Sequence, residues 1–123
     1  MIRFFASFNN FNISLIELKL SFQNFGNLSL KLNKNQFVIK PSGVNLYKTN
    51  YNKFPIININ SGEAIKDKLR PSSDTKIHLE IYKKFPKISG IAHTHSYYAT
   101  AWAQACNCLL YTSDAADEGL GVD

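Results

Sequence analysis

The stretch from Gly26 to Gly43 constrains the fold more tightly than any other part of the sequence. Leu28, Leu30 and Leu32 alternate with Ser29 and Lys31, a period of two that predicts a half-buried strand. Asn33-Lys34-Asn35 is turn chemistry, and Gln36 to Lys40, carrying Phe37, Val38 and Ile39, predicts the returning strand of a hairpin. Lys40-Pro41-Ser42-Gly43 then breaks the ladder, because Pro41 has no N–H to give and Gly43 permits unusual backbone angles. A second hairpin is predicted from Phe54 to Asn58 and from Ala64 to Lys68, around a turn at Asn60-Ser61-Gly62-Glu63.

Elsewhere the period is helical. Ile13, Ile16 and Leu20 recur at spacings of three and four, with Glu17 and Lys19 off that face, so residues 1–20 predict an amphipathic helix of Asn-rich, atypical composition. Pro71-Ser72-Ser73-Asp74 reads as a helix start, with hydroxyls and a carboxylate available to cap free N–H groups. Ile77, Ile81 and Phe85 then predict the buried stripe of that helix, which places His78 on its exposed side, and Pro86 ends it. Ile88 to Ala92 predicts a short strand running into His93-Thr94-His95. Tyr97 to Ala105 predicts a helix whose Ala99, Ala101, Ala103 and Ala105 would pack closely.

The charge is unevenly spread. The whole chain of 123 residues carries a formal +5, but residues 1–107 hold all 14 Lys and Arg against five acidic groups, and residues 108–123 hold four acidic groups and no basic one. An acidic, solvating chain is excluded, while nucleic acid, sugar phosphate or a membrane surface remain as anionic partners. The basic groups are scattered singly, without a Lys/Arg run or an aromatic-interleaved patch, which argues against nucleic acid. No apolar run reaches the roughly 18–20 residues of a membrane-spanning helix. Ser7, Asn9, Asn10 and Asn12 interrupt any export signal at the start, and Cys106 and Cys108, one residue apart, read as reduced thiols of a cytoplasmic protein. Asn, Lys, Ile and Phe supply 46 of residues 1–107 and none of residues 108–123. The run from Cys108 to Glu118 looks like a translated sequencing adapter, so residues 108–123 are expected to be a non-native tail and are set aside from the fold.

The sharpest chemistry is His93-Thr94-His95. Residues i and i+2 of a strand point to one side, so both imidazoles can converge on one metal ion; two ordinary, partly buried histidines are the alternative. Asp74 is either a third, oxygen ligand or a helix cap. Ser72 and Ser73 are either caps or phosphate-binding groups at a helix start. Gly26-Asn27 and Ser42-Gly43 are turn residues that could equally approach a ligand, and Lys40 would suit a phosphate or enolate oxygen if it is not simply solvated.

Their order decides. Gly26-Asn27-Leu28-Ser29, Phe37 to Val44 with Lys40-Pro41-Ser42-Gly43, Arg70-Pro71-Ser72-Ser73-Asp74-Thr75, Gly90-Ile91-Ala92-His93-Thr94-His95-Ser96 and Ala99 to Ala105 form a series. Over residues 21–107 that series closely resembles the bacterial L-ribulose-5-phosphate 4-epimerases of the class II aldolase (adducin-like) family. The resemblance implies an α/β (α+β) fold with a central, mostly antiparallel sheet flanked by helices, here only in part. It implies a zinc enzyme that inverts carbon 4 of a pentulose phosphate by retro-aldol cleavage and re-addition, working in carbohydrate metabolism as a homotetramer. Asp74, His93 and His95 match the family's metal ligands; Gly26, Asn27, Lys40, Ser42, Gly43, Ser72 and Ser73 match its substrate- and phosphate-binding positions. The partner implied is a phosphorylated pentulose, with no nucleic acid and no membrane. Related fuculose-phosphate-type aldolases have Glu where this chain has Asp74, and Thr-Pro-Thr-Gly where it has Lys40-Pro41-Ser42-Gly43, which favours the epimerase. Adducin-like relatives use the fold as a non-catalytic binding module. The family's third zinc histidine and its catalytic Asp and Tyr lie beyond the matched stretch, so the chain as written is expected to be inactive.

Overall fold

A computed structural model describes residues 2–20, 25–65 and 68–105. Cys106, Cys108, the tail from 108 to 123 and part of the second predicted hairpin (66–67) lie outside the described residues. In chain order the elements are α1 (Ile2–Glu17), β1 (Asn27–Asn33), β2 (Gln36–Ile39), β3 (Ile56–Asn58), α2 (Thr75–Lys84), β4 (Gly90–His93) and α3 (Tyr97–Gln104), with a short 3-10 turn at Tyr51–Lys53. The strands form one sheet in the order β3-β2-β1-β4, antiparallel at every pairing. This is the mixed, antiparallel-sheet architecture expected from the sequence.

The Leu28–Leu32 alternation does mark a strand, but the strand is not half-buried, because both faces of the sheet are covered. Leu28, Leu30 and Leu32 face α1 and join Phe8, Val38, Leu46 and Phe54 in one apolar cluster. On the opposite face Phe37, Ile39, Ile57 and Ile59 pack against Leu79 and Tyr82 of α2. Ser29 lies on this second face and is fully buried. Two of the asparagines that count against a helix in α1 find partners: Asn12 Nδ2 donates to the Phe8 carbonyl one turn back at 2.9 Å, and Asn9 Nδ2 to the distant Leu46 carbonyl at 3.3 Å.

Three expectations are corrected. The second hairpin is only partly formed among the described residues: Ile57 bridges Ala64 and the Ile65 N–H donates to the Ile56 carbonyl at 2.8 Å, without a full returning strand, and β3 also pairs with β2. The buried stripe of α2 is His78, Leu79 and Tyr82, one residue round from the predicted row, with Ile77 60% and Phe85 49% exposed. His78 is therefore buried, where the sequence placed it outside. Hydrogen bonds link Ser29 with His78 and Tyr82 along the buried row, polar contacts that a hydrophobicity count cannot see. No residue of α3, its alanines included, is buried among the described residues. No helix among the described residues is long and apolar enough to cross a membrane.

Candidate functional site

The end of the sheet where β1 begins and β4 finishes holds the polar groups. Gly26 enters β1 at φ 72°, a left-handed angle that favours glycine. Asn27 follows and stands directly opposite His93 in the antiparallel ladder. Opposed residues of such a pair share a face, so the Asn27 and His93 side chains both point toward the start of α2, where Asp74 waits.

Two loops close the other side. The Ser42 N–H donates to the Arg70 carbonyl at 2.9 Å, and the Ser72 N–H to the Lys40 carbonyl at 3.2 Å. Pro41 and Pro71 sit between these bonds as an isolated bridge. The loop Lys40–Gly43 is thereby tied to the loop that starts α2. Gly43 turns the first loop at φ 66°, and a Cβ there would meet no atom within 4 Å, so the backbone angle rather than space asks for glycine.

Asp74 sits at the N-cap position of α2 yet makes no capping bond with its side chain. Its Oδ2 instead accepts from Asn27 Nδ2 at 2.7 Å and from His93 Nδ1 at 2.7 Å. Its Oδ1 has only a 3.4 Å contact with Ser73 Oγ. Burial pushes the Asp74 carboxyl up, but the bonds from His93 and Asn27 and the His93 charge outweigh it, leaving the group below its ordinary value. An ionised acceptor requires the proton on His93 Nδ1, so in the neutral form of the ring the free lone pair would lie on Nε2. The His95 ring lies 4.8 Å from that of His93 and 5.7 Å from Phe25, centroid to centroid. Lys40 is buried; desolvation lowers its pKa and the Asp74 charge partly restores it.

All ten residues singled out by the sequence (Gly26, Asn27, Lys40, Ser42, Gly43, Ser72, Ser73, Asp74, His93 and His95) line one cavity of about 250 Å³. Sequence reasoning missed Phe25, which lines the same cavity against His95 and carries no signal in a single sequence. A larger apolar hollow of about 630 Å³ lies beyond Phe25 and His95, along α3. Of the two, the smaller holds the carboxylate, the ammonium and both imidazoles.

The donor types suit a borderline divalent ion such as zinc, and a carboxylate on the second nitrogen of a histidine is the usual support of a metal ligand. The set is partial: among the described residues no three of His, Cys, Asp and Glu are placed to hold an ion together.

Behind the cavity His78 is buried, and burial lowers its pKa, with Asp74 raising it and His93 lowering it further. An unfolded His78 takes up a proton near 6.5, whereas the folded one resists until lower pH. The stabilisation is therefore complete above about pH 6.5 and falls away as the medium is acidified through that window. We expect the urea midpoint to drop between pH 7.5 and 5.5 and the slope to flatten in His78→Gln. A flat wild-type profile contradicts this.

The family model of the Class II Aldolase and Adducin N-terminal domain matches residues 10–122, and the chain belongs to that family. Among solved structures it is similar to an L-fuculose 1-phosphate aldolase (27% identity, TM-score 0.76, 89% of this chain and 51% of that one). It is also similar to YgbL of Klebsiella pneumoniae, a putative aldolase/epimerase/decarboxylase (27%, TM-score 0.72, 85% and 48%). The L-fuculose-1-phosphate aldolase of Thermus thermophilus, 20% identical with TM-score 0.75 over 94% and 58% of the chains, shares the fold. The chain spans about half the length of the structures it matches.

Proposed function

We propose that this chain supplies the metal- and phosphate-binding part of an enzyme that breaks and remakes a carbon–carbon bond, and that its reaction is the epimerisation of L-ribulose 5-phosphate to D-xylulose 5-phosphate. The observation that carries this reading is the convergence of two imidazoles, a short carboxylate, a buried ammonium and two serine-bearing loops on one small cavity. His93 and His95 would hold zinc, and Asp74, which accepts from His93 Nδ1 and Asn27, would reach the ion as its oxygen ligand only by leaving the bond to His93. When bound, the zinc supplies a Lewis acid beside the bond that breaks.

The protein groups do the positioning. Ser42 with Gly43, and Ser72 with Ser73, hold the phosphate from two loops that are bonded to each other, so the cleaved fragment is retained while it presents its other face. The Lys40 ammonium stabilises oxyanion charge as it develops. Asn27 Oδ1, buried and without a partner among the described residues, accepts a hydrogen bond from a sugar hydroxyl. The length of Asp74 and the presence of Lys40 favour epimerisation. The 27% identical L-fuculose 1-phosphate aldolase supports a second reading, aldol cleavage of a related sugar phosphate. In the whole protein this activity belongs to a cytoplasmic homotetramer.

Zinc content and sugar-phosphate binding of the purified chain test the reading. Zinc is expected to be retained by the chain and lost in both His93→Ala and His95→Ala, with L-ribulose 5-phosphate bound more tightly than L-fuculose 1-phosphate. The reverse order supports the aldolase. Equal zinc in all three proteins sinks the enzyme reading and leaves an adducin-like binding module.

A further inference from the structure

Beneath the cavity, β1 and α2 are joined by a polar seam. On one face of β1 stand Asn27, Ser29 and Lys31, two residues apart; on one row of α2 and its cap stand Asp74, His78 and Tyr82, four apart. Two residues of strand advance about 7 Å and four of helix about 6 Å, so the two rows can be matched rung by rung. Asn27 Nδ2 donates to Asp74 Oδ2 at 2.7 Å. Ser29 Oγ lies 2.7 Å from His78 Nδ1 and 2.8 Å from the Tyr82 hydroxyl. The Lys31 ammonium stands 5.1 Å from the centre of the Tyr82 ring.

The middle rung is closed. Ser29 is fully buried and His78 and Tyr82 are each 1% exposed. One hydroxyl can serve both partners if Tyr82 donates to Ser29 and Ser29 donates to His78. This rung also decides between two packings. The neighbouring row of α2, Ile77, Ile81 and Phe85, is more apolar, and burying it would turn the helix by about one residue, or 100°. Such a turn would carry Asp74 away from Asn27 and His93. Hydrophobic burial alone does not forbid it, because it is non-directional; a buried hydroxyl and imidazole stripped of partners do, at about 1–3 kcal/mol each.

We propose that Ser29, His78 and Tyr82 are positioning residues: their buried hydrogen-bonded cluster fixes the rotation of α2 on β1 and thereby aims the Asp74 carboxylate at His93 Nδ1, a role that rests on Asp74 and His93 being working groups of the site. The test reads the His93 ring itself. In ¹⁵N-histidine-labelled chain, the His93 Nδ1 resonance is recorded for wild type, Ser29→Ala, Tyr82→Phe, Asp74→Asn and, as a control in the same core, Ile57→Val. Ser29→Ala and Tyr82→Phe are expected to move the resonance toward its position in Asp74→Asn, while Ile57→Val leaves it at the wild-type position. If Ser29→Ala does not fold, Tyr82→Phe carries the comparison, since it removes one oxygen and keeps the ring against Phe37. An unmoved resonance in folded Tyr82→Phe, or an equal movement in Ile57→Val, overturns the proposal. Neither metal nor sugar phosphate is present in the sample, so a chain that bound neither would refute the enzyme reading and leave this result standing.

Discussion

Asp74→Ala is expected to act on stability and on metal affinity together. Asn27 is 3% exposed, and its Oδ1 already has no partner among the described residues. Removing the carboxylate strands its Nδ2 as well, at a cost of about 1–3 kcal/mol. The carboxylate also fixes the tautomer of His93 through the 2.7 Å bond to Nδ1, and losing such a support commonly lowers metal affinity by about 10–100-fold. Lys40 loses the charge that offsets its desolvation, so its pKa falls further. Asp74→Asn separates these effects. It keeps an acceptor for Asn27 but not the charge, so the urea midpoint should stay near wild type while zinc affinity and the Lys40 pKa still fall. A zinc titration and a urea transition on both variants check this. Wild-type values of both in Asp74→Ala would mean that the carboxylate neither supports the fold nor tunes His93.

How much of this was legible in the sequence follows from what each signal measures. Strand alternation and turn chemistry are local, so the 26–40 hairpin was read to within a residue: Asn27–Asn33 and Gln36–Ile39 against the Gly26–Lys40 expectation. The site residues were legible through their types and order, and the cavity brings all ten together. The covering of both sheet faces was not legible, because Ser29 reads as solvent-facing until His78 and Tyr82 are known to meet it. The rotation of α2 failed for the same reason. Ile77, Ile81 and Phe85 are the more hydrophobic row, and only a partner hydroxyl on another element tells the chain to bury His78 instead. Burial of Lys40 was also hidden: its 5% exposure depends on a loop pairing between residues near 41 and 71 that no short-range pattern carries. The misreadings of Ser29 and His78 share one cause: polar groups whose partners lie 49 and 53 residues away in sequence.

The second large effect concerns the core that supports this arrangement. Phe37→Ala is expected to abolish cooperative unfolding of the chain, with no sigmoidal transition in urea by circular dichroism. Phe37 is fully buried in the cluster of Ile39, Ile57, Ile59, Leu79 and Tyr82, and its ring centre lies 4.9 Å from that of Tyr82. Truncating a buried Phe costs about 3–5 kcal/mol, while a domain of this size has a total margin of about 5–15 kcal/mol. The present chain should sit low in that range, because the described part of α3 buries no residue and Tyr98 is 90% exposed. Phe37→Leu refills most of the space and should restore the transition at a lowered midpoint. The location of the cavity matters as much as its size. It opens directly under the Tyr82 ring, whose hydroxyl holds Ser29 and whose helix begins at Asp74. Loss of that support frees α2 to slide or turn on the sheet before the rest of the core gives way. The polar seam should therefore fail at lower urea than the β1–β2 pairing in Phe37→Leu, visible by NMR as earlier loss of the native Tyr82 and His78 ring resonances than of the far-ultraviolet signal. Coincident transitions would show instead that sheet and helix unfold as one unit, and that the seam holds as long as the core does.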